Sequence, residues 1–185
     1  MKNLVCFLEE PSAKEMLKGI LPRLLPENIQ CFYIVFDGKQ DLEKQLVHRM
    51  RGWQKTDSAF LVIRDQDSAD CITVKSRLSD LCREAGKPEA IVRIACRELE
   101  SFYFGDLNAV EAGLCVNNVA NQQWKAKYRI PDSIVNPSDE LERLTNGVYQ
   151  KISGSRNIGQ LLSLDNNASH SFNVLVSGIR GLICR

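Results

Sequence analysis

The chain has 185 residues, with 24 basic and 23 acidic side chains and a formal charge of +1. Its 44% hydrophobic and 25% charged content is that of a globular domain, which excludes a disordered tail, a collagen-like fibre and a coiled coil. Near-neutrality excludes a general polycation that coats nucleic acid but leaves room for a local basic groove.

The first half alternates apolar runs with amphipathic stretches. Asn3 to Leu8 reads as a strand. Lys2 precedes it and Glu9 and Glu10 cut it short, unlike a signal peptide, so a cytoplasmic protein is expected. The longest apolar runs span about six residues against the ~20 of a membrane helix, so no membrane association is expected. A helix follows from Ser12, with Ala13, Met16, Leu17 and Ile20 on one face, Pro11 at its start and Pro22 ending or kinking it. Ile29 to Phe36, rich in β-branched and aromatic residues, is a second strand. Asp41 to Trp53 is helical, Ala59 to Ile63 a third strand, and Ser68 to Ala85 a third helix capped by Gly86. Ala90 to Cys96 is a fourth strand. The pattern predicts a mostly parallel four-stranded α/β sheet with helices on both faces.

Residues 1–113 form this core, and 114–185 read as a helical extension packed on it. Leu107 to Gly113 and Asp139 to Tyr149 are predicted helices. Ala120 to Ser138, with Pro131 and Pro137, reads as loop with one short helix. Phe172, Leu175, Val176, Ile179, Leu182 and Ile183 mark a terminal amphipathic helix.

The seven cysteines (Cys6, Cys31, Cys71, Cys82, Cys96, Cys115 and Cys184) include no CxxC, and their odd number makes a poor disulfide framework. With only His48 and His170 beside them, no zinc spacing emerges. They read as small buried hydrophobes in a reducing compartment.

Ligands of a parallel sheet bind beyond the carboxyl ends of its strands. Three acidic clusters stand there: Glu9-Glu10, Asp65-Gln66-Asp67, and Glu98-Leu99-Glu100. Like charges brought together repel unless a cation joins them. Hard oxygen donors favour magnesium or manganese. In Asp65-Gln66-Asp67 an extended backbone would point both carboxylates the same way. Any one of these clusters alone is equally explained by helix capping. Ions held by such acids orient phosphates and activate water, which suits phosphodiester cleavage or another phosphoryl transfer.

From Arg143 to Leu164 no acid occurs. Within Tyr149–Arg156, Lys151 and Arg156 are candidates to hold a phosphate, with Ser153 and Ser155 as hydroxyl donors and Gly154 permitting a tight turn; a solvated loop is the plain alternative. Lys39, after the second strand, is a further cation at this edge or part of an ordinary turn. Trp124, Lys125, Lys127, Tyr128 and Arg129 suit either nucleic-acid stacking or half-buried packing.

In order of motifs the chain resembles a Toprim domain, the metal-binding fold of topoisomerases, bacterial primases and overcoming-lysogenization-defect nucleases. Glu9 matches the acid after the first strand and Asp65-Gln66-Asp67 the DxD after the third. Most Toprim domains carry Gly directly after that first Glu. Here the position is Glu10, so the ligand is Glu9 or Glu10, with Pro11-Ser12 aligning in favour of Glu9. The whole chain looks closer to the bacterial domain of unknown function four-two-seven-six. The matching stretches are Leu8–Lys14, Gly38–Leu42, Arg64–Asp67, Arg93–Glu100 and Tyr149–Arg156.

The resemblance implies a defence or mobile-element protein with an ATPase partner. The expectation is a Mg2+- or Mn2+-dependent nuclease. Its metal ligands would be Glu9, Asp65, Asp67, Glu98 and Glu100, with Lys151 joining Glu9, Asp65 and Asp67 in catalysis. Lys39, Lys151, Ser153 and Arg156 would bind nucleic acid, DNA or RNA, and homo-oligomer formation is left open. A non-catalytic subunit of an ATPase complex and another phosphoryl-transfer enzyme are the alternatives.

Overall fold

A computed structural model describes residues 1–183, and the side chains of 1–182. Cys184 lies outside the described residues. Four strands form one sheet: β1 (Asn3–Leu8), β2 (Gln30–Val35), β3 (Ser58–Asp65) and β4 (Ile91–Ala95). Every pairing is parallel, in the order β2-β1-β3-β4. The connections are α1 (Pro11–Leu24), α2 (Gly38–Arg51) and α3 (Cys71–Glu84). After β4 come α4 (Ser101–Phe104), α5 (Leu107–Leu114), α6 (Pro137–Leu144), α7 (Lys151–Gly159) and α8 (His170–Ile183). No helix among the described residues is long and apolar enough to cross a membrane.

Side-chain alternation divides the sheet into two faces. Val5, Phe7, Phe60, Val62, Val92 and Ile94 pack beneath α2 and α3 through Leu42, Leu46, Met50, Val74, Leu78 and Cys82. Leu4, Cys6, Leu8, Leu61 and Ile63 face the other way, into a core shared with α1 and the later helices. That core joins Met16, Leu17 and Ile20 to Ile158, Phe172, Leu175 and Ile179, so residues from 1–113 and from 114–182 occupy one apolar interior.

Several boundaries have local causes. Gly86, at φ +74, closes α3. Its N–H bonds the Arg83 carbonyl and that of Lys87 reaches the Cys82 carbonyl, the paired bonds of a Schellman cap. Pro22 lies inside α1, which runs to Leu24. The stretch 120–138 holds three single 3₁₀ turns and the start of α6. The helix expected to reach Tyr149 stops at Leu144, because Gly147 at φ +79 turns the chain.

The largest departure is α7. Tyr149–Arg156 is not a loop: from Lys151 it is helix, packed across α1. Gly159 permits that crossing, since a Cβ there would stand 2.7 Å from the Met16 carbonyl oxygen.

Candidate active site

β1 leads through α1 to β2 on one side, whereas β3 leads through α3 to β4 on the other. The chain therefore changes direction between β1 and β3, the switch point where open α/β sheets bind ligands beyond the strand ends. Glu9, Glu10 and Asp65 stand there.

Register assigns each acid a face. Leu8 pairs with Ile63, so Glu10 is level with Asp65. Both continue the face of Leu4, Cys6, Leu8, Leu61 and Ile63. Glu9 continues the other face, with Arg64. Glu9 Oε2 accepts the Asp65 backbone N–H at 3.0 Å and lies 3.9 Å from Arg64 Nε. Arg64 in turn binds Glu43 at 2.6 Å, and Glu43 binds Arg77 at 2.7 Å. Glu9 thus ties β1 to the end of β3 from behind. Burial, partly offset by the Asp65 N–H, raises its pKa.

On the facing side Asp65 is 8% exposed and Glu100 fully buried. Burial pushes the Asp65 carboxyl well above the usual range, and Glu10, Glu100 and Glu9 push it further. Glu100 is also raised, mainly by burial. Its Oε1 accepts the Tyr149 hydroxyl at 2.7 Å, while its buried Oε2 has no hydrogen-bond partner. Lys151, in the first turn of α7, reaches over the group, 3.6 Å from Glu10 Oε2 and 4.0 Å from Glu100 Oε1. Burial works against its ammonium, but Glu100, Glu10, Asp65 and Glu98 outweigh that and raise its pKa. Glu10 also accepts a hydrogen bond from Ser12 Oγ.

The remaining candidates lie elsewhere. Asp67 has left-handed backbone, φ +55, so the DxD is not extended and its two carboxylates diverge. Asp67 binds Lys39 at 2.7 Å in a solvent-accessible pair. Glu98 Oε2 accepts the Ser138 N–H at 2.8 Å and caps α6. Arg156 binds Glu15 of α1 at 2.6 Å. Ser153 is exposed and Ser155 fully buried. Trp124 is 85% exposed, whereas Tyr128 is buried and Lys127 pairs with Glu140 at 2.6 Å, so the basic-aromatic cluster is divided.

Sequence reading passed over Arg97 and Tyr149 as site residues. Arg97 follows β4 with φ +63, its N–H on Gln66 Oε1 and its carbonyl on the Asp67 N–H. A left-handed backbone there is uncommon for such a residue and collects at functional edges. The parity of Leu8 with Ile63 was the available signal for Glu10.

Two surface clefts lie away from the acids. One of about 420 Å³ lies at the opposite end of the sheet, beside Ala59, Phe60 and Gly86. Another of about 650 Å³ is lined by Asp106, Asn108, Trp124 and Leu161.

The profile of the family described as Domain of unknown function (DUF4276) matches residues 8–180. The chain belongs to this family. Its matched span begins at the last residue of β1 and takes in β2, β3, β4 and every residue of the acid cluster. No curated protein and no solved structure matches the chain.

Proposed function

We propose that the chain is a magnesium- or manganese-dependent nuclease of Toprim-like kind, working with an ATPase partner. The observation that carries this reading is the group Glu10, Asp65 and Glu100 gathered at the switch point under Lys151. Asp65 and Glu100 are buried carboxylates with raised pKa values, which cost stability and collect at functional sites.

The donor set suits a hard cation: carboxylate oxygens, one of them the unpartnered, buried Glu100 Oε2. Among the described residues no three acidic, His or Cys side chains already stand as a metal cage. Glu10, Asp65 and Glu100 are therefore the residues that would close on an ion, with Lys151 giving way. When bound, magnesium polarises a phosphate and lowers the pKa of water beside it. Glu9 holds the Asp65 backbone in place. Lys151, released from Glu10 and Glu100, is placed to neutralise charge on the phosphate. Lys39, at the other side of the strand ends, is the second cation toward which a nucleic-acid backbone can run.

A non-catalytic subunit draws support from Val148 and Ile152, half-exposed apolar side chains beside Lys151. Cleavage of labelled single- and double-stranded DNA and RNA, with magnesium or manganese and with or without the ATPase, decides between the two. The nuclease cuts at least one substrate, and Asp65→Ala abolishes cutting. A wild type that cuts nothing yet binds its ATPase as well as Asp65→Ala does establishes the non-catalytic subunit.

A further inference from the structure

Glu100 is held from one side only. Its Oε1 takes the Tyr149 hydroxyl at 2.7 Å, and Oε2, equally buried, takes nothing. A buried carboxylate oxygen without a donor is expensive, and such exceptions call for an explanation.

Tyr149 is locked on three sides. Its backbone N–H donates to Thr145 Oγ1 at 3.1 Å, and that hydroxyl is anchored on the Leu141 carbonyl at 2.8 Å. Its ring meets Tyr103 edge-on, with centroids 6.2 Å apart. Its other edge lies against Gly154 of α7, where a Cβ would stand 2.5 Å from Cδ2 and 2.6 Å from Cε2. Toward the Glu100 carboxylate its hydroxyl is the donor.

Without that bond the carboxylate could rotate and put both oxygens on Lys151. We propose that Tyr149 is a positioning residue: its hydroxyl fixes Glu100 Oε1 and so presents Oε2 to the divalent ion. Groups that orient a ligand in this way usually contribute roughly 10–100-fold to metal affinity. The proposal rests on the metal-site reading above.

Tyr103 supplies the control. Its hydroxyl is also fully buried in this neighbourhood but bonds nothing on Glu100. The experiment is Mn2+ titration of the full chain, with free ion followed by electron paramagnetic resonance and bound ion by water-proton relaxation. The expected result is binding roughly 10–100-fold weaker in Tyr149→Phe than in wild type. Relaxation per bound ion should also rise in that variant as water replaces the lost carboxylate oxygen. Tyr103→Phe should match wild type in both readouts. Gly154→Ala, which drives the ring off its seat while keeping the hydroxyl, should weaken binding as Tyr149→Phe does and serves if that variant does not fold. Equal affinities in wild type and Tyr149→Phe overturn the proposal, as does equal weakening by Tyr103→Phe. A wild type that binds no Mn2+ overturns the metal site itself.

Discussion

Asp65 is a charge the fold holds against its own stability. Its folded pKa lies above the unfolded value, chiefly through burial, with Glu10, Glu100 and Glu9 adding to it. Between those two values the folded chain binds the extra proton, so stability falls as pH rises through that window. Asp65→Asn removes the penalty. The apo variant should be more stable than wild type at pH 7. The difference should shrink as pH falls toward the ordinary carboxylate range, as denaturant melts at stepped pH would show. Asp67→Asn, at an exposed pair with Lys39, should change little. Lys151 has the opposite sign. Lys151→Met strips Glu10 and Glu100 of their cation and should destabilise the apo chain at pH 7. Manganese should raise its melting temperature more than that of wild type, because no ammonium competes for the acids. In the nuclease, loss of such a donor should slow cleavage on the order of 100–1000-fold. These roles were half legible in the residue string. The strand-end position of the acids followed from topology. The choice between Glu9 and Glu10 did not: Pro11-Ser12 aligns in favour of Glu9, whereas the pairing of β1 with β3 puts Glu10 level with Asp65. The divergence of Asp65 and Asp67 did not follow either, because nothing in Asp-Gln-Asp announces the left-handed residue that ends the alternation.

At the scale of elements, the site depends on α7 lying hard against α1. The strands were readable because their apolar runs are continuous and their turns carry Gly or acids. α7 was not, because Ser153-Gly154-Ser155 reads as a loop by composition. Its helix is imposed by packing: Ile158 enters the core, Gly159 meets the Met16 backbone, and Gly154 makes room for Tyr149. Arg23 fastens the far end, donating to the Gly159 and Leu162 carbonyls at 2.8 and 2.9 Å. Gly159→Ala brings a methyl to 2.7 Å from the Met16 carbonyl oxygen, where only backbone movement gives relief. It should cost roughly 1–3 kcal/mol in denaturant melts. Because the helices must part, Lys151 moves with α7, so the variant should also show altered Mn2+ affinity at temperatures where it is fully folded. A stability loss with unchanged affinity would show that Lys151 sits independently of this crossing.

The whole molecule offers the strictest test of how its halves relate. Sequence patterning placed a boundary near residue 113, where strands give way to helices. The interior does not respect that boundary. Ile158, Leu162, Phe172, Leu175, Val176, Ile179 and Leu182 all come from beyond it, and all are nearly or fully buried in the core that β1, β3 and α1 line. At roughly 1.5–3 kcal/mol for each such side chain, their burial contributes on the order of 10–20 kcal/mol. That matches or exceeds the whole stability of a typical domain, about 5–15 kcal/mol. The segment 1–113 alone should therefore lack a cooperative thermal transition, whereas the full chain should unfold in one step. Circular dichroism follows the helices. Fluorescence, read in a background with the exposed Trp124 replaced by Phe, follows Trp53, which packs edge-on against Phe32 of β2 with centroids 5.0 Å apart and so reports the sheet half. In the full chain both signals should share one midpoint. Magnesium should move them together, because Glu10, Asp65 and Glu100 all come from the sheet half, while Tyr149, which holds Glu100, and Lys151 come from the other half. A sigmoidal melt of the 1–113 segment, or two separated midpoints in the full chain, would make the sheet half an independent domain. The acid cluster could then bind its ion without α7, and Lys151 would be an accessory to the site.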